Sequence, residues 1–502
     1  EGVNAFIATL KPSTFPIEYK ILGVSPEAWE PKNAGYLLKF MAWSLSGSSQ
    51  DVPLSRSAHV LGKAAFQELF PLNLPVPEPI VPAGTKFATR SVAPEAPSED
   101  FEPSVESLDP LPTPHPSNGS NNWAVTGKKS TTGLPILSND IHLGLSLPAL
   151  WYEMQLVSPT QNVYGIALPG APGVILGFNE SMAWGVTNGG DDVLDWYQLR
   201  FRDEKRSEYL YEGGWRPVIS REVKMKVRGE AEPRVLLLRE THFGPIVYDN
   251  DETPMTTAIP KSLAMRWAAL SESNELKNFM LLNKAKSVSE CRKALDGYRT
   301  PAQNFLCVDN SGETALYHMG RYPLRFPGQG RLVSDGSRAK YDWSGWLTPD
   351  EIPFSKNPSR GFLSSANQPP TDSTYPFYLG WPYENLSRPT RINEILRSKQ
   401  KFSPEDFVKM QRDNISVIAK LQTAPLLKAL EGLDLDKKES KAIAALKTWD
   451  GNFESTSKAA PLAYAWFKQA EFNLWKRLLP ERRTFYYPPL VKTIEVLSDP
   501  NS

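Results

Sequence analysis

The sequence predicts an α+β fold, and three observations predict it: a helical opening, a strand-rich middle and a return to helices, with few alternations between them. In residues 1 to 70, GYLLKFMAWSL and SAHVLGKAAFQELF place apolar side chains at three- and four-residue spacing, the pattern of helices with one buried face. From about Pro71 that periodicity stops. The following stretch, to Asn118, is crowded with Pro, Glu, Ser and Thr, a composition expected to bury too little surface to offset the entropy of ordering it. Residues 120 to 345 read as strands, with NVYGIALPG, GVILGF, MAWGVT, PRVLLLRETHFGPIVYD and NFLCVD separated by Gly, Asn and Asp turns, and a helical insert at ELKNFMLLNKAKSVSECRKAL. Helices return at SPEDFVKM, where Ser403 is an N-cap, Pro404 occupies the first helical position and two acids follow. The chain therefore divides into a helical segment, 1–75, a Pro-rich spacer, 76–119, that reads as removable, and a body, 120–502.

The 502 residues, 40% hydrophobic and 11% aromatic, can fill a large interior. Fifty-six basic side chains balance 56 acidic ones, and without a basic run nucleic acid is excluded as a partner. Two cysteines, Cys291 and Cys307, rule out a disulfide framework while leaving one bridge open. No apolar run reaches the roughly 18 residues of a membrane span. The phosphate-loop pattern fails at Asn122, no G-x-S-x-G elbow occurs, and the five histidines form no zinc motif.

What remains is a serine at a boundary. In NGSNNWAV, Ser120 separates the spacer from the first strand of the body. If the Gly119–Ser120 bond is cut, Ser120 becomes an N-terminus whose α-amine, with an ordinary pKa of about 7.7 to 8.0, can take the proton of its own hydroxyl without a separate histidine. Gly119 suits such a cut, because a residue without Cβ allows close approach to its carbonyl and tolerates strain.

The stretches GSNNWAV, SNDIHLG, GFNESMAWGVTNGGDDVLD, THFGPIV, TPAQNFLCVD with GRYPLR, SSANQPP and SRPTRINEIL follow one another along most of the chain. Together they resemble the penicillin acylase family of N-terminal nucleophile hydrolases, whose precursors lose an internal spacer to leave an α chain and a β chain that starts with the catalytic serine. The resemblance implies an αββα sandwich of stacked antiparallel sheets between helices, a bacterial periplasmic or secreted location, and a chain lacking the family's N-terminal portion and the end of its β chain. It implies Ser120 as nucleophile, its α-amine as base and His142 as a group that orients or bridges to that amine. The oxyanion would be held by the Asn188 backbone N–H and the Asn304 side-chain amide. Arg325 resembles the arginine that holds that asparagine; unaided, it reads as a surface charge.

The same resemblance implies no catalytic cofactor. Asp192, the carbonyl of Leu194 and Asp195, with Asp51 from the helical segment, resemble a structural calcium site joining the two chains; an acidic surface turn is the other reading. Leu45, Leu143 and Leu176 stand where phenylacetyl-preferring members carry phenylalanine, and Val186 where they carry serine, so an aliphatic or bulky acyl group is expected. The implied substrate is a small-molecule acyl amide, either a β-lactam side-chain amide or an N-acyl-homoserine lactone, and the implied assembly is a heterodimer of the precursor's own α and β chains. The alternative is an unprocessed homologue that only binds ligands or serves a structural role.

Overall fold

Two antiparallel sheets lie face to face at the centre of the chain. The larger has seven strands, in the order Phe354–Lys356, Thr314–Met319, Gln303–Asp309, Met182–Asn188, Leu176–Asn179, Gln161–Ala167 and Tyr152–Ser158. The smaller has three, with Gly119–Val125 between Phe362–Ser365 and Ile136–His142. These relationships come from a computed structural model that describes residues 1–98, 101–103, 118–247, 262–381, 383, 386–480 and 485–499.

Period-two alternation decides what each face touches. Ala124 and Leu363 of the small sheet meet Leu306, Val308 and Leu316 of the large one. Their neighbours Trp123, Val125 and Phe362 turn the other way, onto Ile392, Leu396 and Phe407 of the helices Ser387–Ser398 and Pro404–Gln411. On the large sheet, Phe305, Cys307, Ala315 and Tyr317 turn outward onto Phe279, Leu282, Val288 and Cys291 of the helical insert, Glu275–Leu282 and Val288–Ala294. The result is helices, sheet, sheet, helices: the expected αββα order. Cys291 and Cys307 are joined by a disulfide between the insert and the large sheet. As expected, Ser403 caps its helix by accepting the Asp406 N–H, and Asp406 returns the bond to the Ser403 N–H. Among the described residues no helix is long and apolar enough to cross a membrane.

Two expectations need correction. The helix read through SAHVLGKAAFQELF is interrupted at Gly62, whose φ of 74° and ψ of 163° are non-helical and cost a residue without Cβ little. The spacer also packs where composition predicted that it could not. Ile80 and Val81 are fully buried, donate their N–H groups to the carbonyls of Pro369 and Pro370, and Ile80 joins the apolar layer between the sheets. Glu78 pairs with both Arg397 guanidinium nitrogens at 2.6 and 2.9 Å, and Phe87 meets Tyr375 edge-on at 4.8 Å. Glu351 accepts the Ser91 N–H and hydroxyl at 2.5 and 2.8 Å. A window average misses this strap because a few anchors among prolines carry it. Residues 99–100 and 104–117 of the spacer lie outside the described residues.

Ile80→Ala should lower stability by about 2–5 kcal/mol, the range for a fully buried aliphatic side chain, read as a shift of the urea midpoint; an unchanged midpoint would make the strap an attachment rather than core. The strap should also respond to acid. Burial raises the Glu351 pKa, but bonds from Ser91 and Thr348 outweigh it and leave the carboxyl at about 2, below its ordinary 4.5. A depressed acid contributes stability above its unfolded pKa and loses it as pH falls toward the folded one. Protease nicking near Ser91 should therefore rise between about pH 4.5 and pH 2, and Glu351→Gln should remove that portion of the response.

Candidate active site

Ser120 is buried at the start of the central strand of the small sheet, and strand alternation turns it, with Asn122, toward the large sheet. Its hydroxyl donates to the Gly119 carbonyl oxygen at 2.6 Å, the carbonyl of the very bond whose cleavage the sequence suggests. Its backbone N–H donates to Asn367 Oδ1 at 2.8 Å. Arg388 shares that oxygen at 2.9 Å and also donates to the Ser120 carbonyl at 2.9 Å and Asn121 Oδ1 at 2.7 Å. Burial lowers the Arg388 pKa to about 10, still charged near neutrality. Gly119 is extended and unstrained; its glycine is explained instead by space, since a Cβ there would come within 2.9 Å of the Arg388 guanidinium.

The strand Met182–Asn188 brings Asn188 to the same place. Gly189 donates to the Ala302 carbonyl, so the alternation of an antiparallel ladder turns the Asn188 N–H to the side away from Gln303. The Asn188 carbonyl accepts from Asn367 Nδ2 at 2.8 Å, which ties the Ser120 nitrogen to this strand through a single side chain. Asn304 lies fully buried between the sheets. Its amide nitrogen faces Thr187 Oγ1 at 3.1 Å, Ser365 Oγ at 3.2 Å and the Asn188 carbonyl at 3.4 Å, and its Oδ1 lies 2.6 Å from His318 Nδ1.

Ser120, Asn188 and Gln303 are polar residues in the lining of an otherwise largely apolar pocket. Met41 and Leu45 of the helix Pro31–Ser46 supply one wall; Leu143, Ile175, Val186 and Phe279 contribute to the others. Of the four expected acyl contacts, Leu45, Leu143 and Val186 line it, whereas Leu176 does not: it is buried in the adjoining core and Ile175 takes the place. Three aromatic residues, Trp151, Phe279 and Tyr298, line the pocket too, against ten aliphatic ones, so the lining is predominantly but not wholly aliphatic.

Two other expected roles do not match the geometry. His142 Nε2 is paired with Asp140 at 2.8 Å and lies 3.4 Å from Asn121 Nδ2, while the Ser120 N–H is already taken by Asn367. The His142 bond is the main cause holding the Asp140 carboxyl below its ordinary range. The register explains the miss, since His142 stands opposite Gly119 rather than Ser120. Arg325 is neither on the surface nor at Asn304; it is buried against Asp195 at 2.7 Å and Asp192 at 3.2 Å, with a further bond to the Asp192 carbonyl at 2.6 Å.

That pairing tests the calcium reading. The Arg325 guanidinium is bound directly by both Asp192 and Asp195. Trp343 takes the second oxygen of Asp195 at 2.6 Å, the Trp196 N–H takes Asp51 at 3.0 Å, and Leu194 is in the strand paired with Leu263–Trp267. Among the described residues no three His, Cys, Asp or Glu side chains converge as a metal-holding group. As arranged, Asp192 and Asp195 hold the Arg325 guanidinium, while burial and the nearby charges of Asp192 and Asp195 push the Asp51 carboxyl above its ordinary range. Asp51 does join the helical segment to the body, but through the Trp196 backbone. Burial, opposed by Arg325 and reinforced by Asp195, pushes the Asp192 carboxyl up to about 8.

Asn367, Arg388, His318 and Asp191 were not singled out from sequence. The first two lie in SSANQPP and SRPTRINEIL, stretches that carried the resemblance without suggesting a role. His318 and Asp191 are 127 positions apart and meet only in the fold, at 3.1 Å.

The stacked sheets are those of an N-terminal nucleophile hydrolase. The thermostable penicillin G acylase of Alcaligenes faecalis superposes with a TM-score of 0.61 at 21% identity, over 72% of this chain and 66% of that one. The penicillin amidase family model matches residues 1–501, and the chain belongs to that family. It is 28% identical to the acyl-homoserine lactone acylase QuiP of Pseudomonas aeruginosa over 93% of its length and 57% of that protein's. It is 27% identical to the penicillin acylase 2 proenzyme of Pseudomonas sp. strain SE83, over 93% and 59%. The chain thus spans a little under three fifths of these relatives.

Arg325→Met should cost about 3–5 kcal/mol, because it strands buried carboxylates without their partner; an unchanged denaturation midpoint would show that the pair contributes nothing. A chelator should leave the wild-type midpoint where it is, and a lower midpoint would place a divalent ion at these carboxylates after all.

Proposed function

We propose that this chain is the core of an amidohydrolase that works through an acyl-ester on Ser120 after cutting its own Gly119–Ser120 bond. The observation that carries the proposal is the position of Ser120: its hydroxyl on the Gly119 carbonyl, at the rim of an apolar pocket, with Asn188 beside it. In the precursor, Oγ adds to the Gly119 carbonyl carbon, the C–N bond breaks to leave an Oγ ester and a free Ser120 α-amine, and water then hydrolyses the ester to the Gly119 carboxylate and the Ser120 hydroxyl. That amine inherits the Asn367 contact seen for the Ser120 N–H. The neighbouring Arg388 cation disfavours a second positive charge and so favours the neutral amine that a base must be.

In turnover, the amine takes the Oγ proton as Oγ adds to the substrate carbonyl, and the Asn188 N–H and Asn304 amide hold the oxyanion. The proton then passes to the leaving amine, and water hydrolyses the ester. His142 acts at one remove, through Asp140 and Asn121. The aliphatic majority in the pocket favours an aliphatic acyl group, and the names of the relatives frame the leaving group as a homoserine lactone amine or a β-lactam nucleus. The two chains left by cleavage form a heterodimer, and the Cys291–Cys307 disulfide suits a periplasmic or secreted setting.

Wild-type protein should give two chains, one beginning Ser-Asn-Asn-Trp and the other extending past residue 98, because the strap is docked; Ser120→Ala should remain one chain. A wild-type protein that stays whole would end the hydrolase reading. An octanoyl chromogenic amide should be cleaved with a kcat/KM at least about 10-fold above its phenylacetyl counterpart, and the reverse order would overturn the aliphatic assignment.

A further inference from the structure

We infer that His318 is a positioning residue for this reaction: it fixes the Asn304 amide in the one orientation that presents N–H groups beside Asn188, and Asp191 fixes His318. The inference rests on the function proposed above. Asn304 and His318 are directly opposite each other on paired strands of the large sheet, on the face turned to the small sheet. His318 Nδ1 is 2.6 Å from Asn304 Oδ1, and Nε2 is 3.1 Å from both oxygens of Asp191.

The orientation of the amide follows from its other end. Asn304 Nδ2 faces the Asn188 carbonyl, which can only accept, so this end must be the NH2 and the end toward His318 the oxygen. His318 Nδ1 therefore donates. Asp191 offers only acceptors to Nε2 and receives in addition the Tyr383 hydroxyl at 2.6 Å. The imidazole cannot turn to escape these demands, because Tyr322 stacks on it with centroids 5.1 Å apart and planes 8° from parallel, and donates to the His318 carbonyl. His318 and Asn304 have no exposed surface.

Without this donor, only the Asn188 carbonyl at 3.4 Å would oppose a half-turn of the amide, since Thr187 and Ser365 present hydroxyls that can donate as well as accept. A rotated amide would aim a carbonyl oxygen at the developing oxyanion. His318, with the Asn188 carbonyl at the other end of the amide, thus sets the sign of the dipole at the site while touching no substrate.

The test compares His318→Leu, His318→Asn and wild type, with kcat referred to the fraction of chains that begin at Ser120. His318→Leu should lose about 100-fold in kcat, the loss expected for one oxyanion donor, with KM and the affinity for the product octanoate unchanged. His318→Asn, which keeps a donor near the Nδ1 position, should stay within about 10-fold of wild type. A His318→Leu enzyme with wild-type kcat, or one whose loss lies in KM and octanoate binding alone, overturns the inference and leaves the hydrolase reading intact. Wild-type protein inactive on every acyl amide overturns both. Should His318→Leu fail to fold or mature, Asp191→Asn carries the test, its shape being kept: a lower kcat at unchanged KM supports the inference and an unchanged kcat overturns it.

Discussion

The face-to-face packing of the three-stranded sheet on the seven-stranded sheet is the constraint on which the rest depends. Most of that interface is apolar, with Ala124, Leu306, Val308, Leu316, Leu363 and Ile80 closing it. At one end the same strand faces carry polar residues instead: Asn122, Thr187, Asn304, His318 and Ser365 are all buried there. Burying these groups is costly unless each finds a partner. The sheets supply most of those partners from opposite sides, with Thr187 and Ser365 sharing a bond of 2.6 Å across the gap, while Asn122 Oδ1 is left without one. Ser120 stands at the edge of this polar zone, where the apolar pocket opens.

Two arginines, Arg325 buried and Arg388 half-buried, divide the electrostatic tasks. Arg388 donates to a carbonyl and two amide oxygens around Ser120, and the Asp140 carboxylate acts on its charge. Arg325 meets Asp192 and Asp195, and its charge is largely spent there. A sequence reading assigns both to the same broad class of basic residue. Their difference arises from what the fold brings to them.

Fold class was legible because it is written in local periodicity: strands of alternating character, helices with one apolar face and a capped start at Ser403. Much of the candidate site was legible by resemblance, since Ser120, Asn188, Leu45, Leu143 and Val186 do meet at one pocket. The failures share a cause. Leu176 and Ile175 differ by one residue, and only strand register decides which side chain reaches the pocket. Arg325 and His142 take their expected partners from the family resemblance, but the bonds they make depend on competing acceptors, Asp192, Asp195 and Asp140. Asp191 lies in a stretch that carries the resemblance, but its pairing with His318 has no local signal, because it is a product of long-range folding.

The strap has a consequence for how the protein holds together. Ile80 and Val81 are part of the central layer, Glu78 grips Arg397, and Ser91 is held by Glu351, all on the body that starts at Ser120. A backbone cut between the strap and Ser120 would therefore divide a covalent chain without dividing its hydrophobic core. The two pieces would behave as complementary fragments, separating only when the sheets themselves come apart. Their dissociation and their unfolding would be a single cooperative event, and neither piece would keep its structure after losing the other.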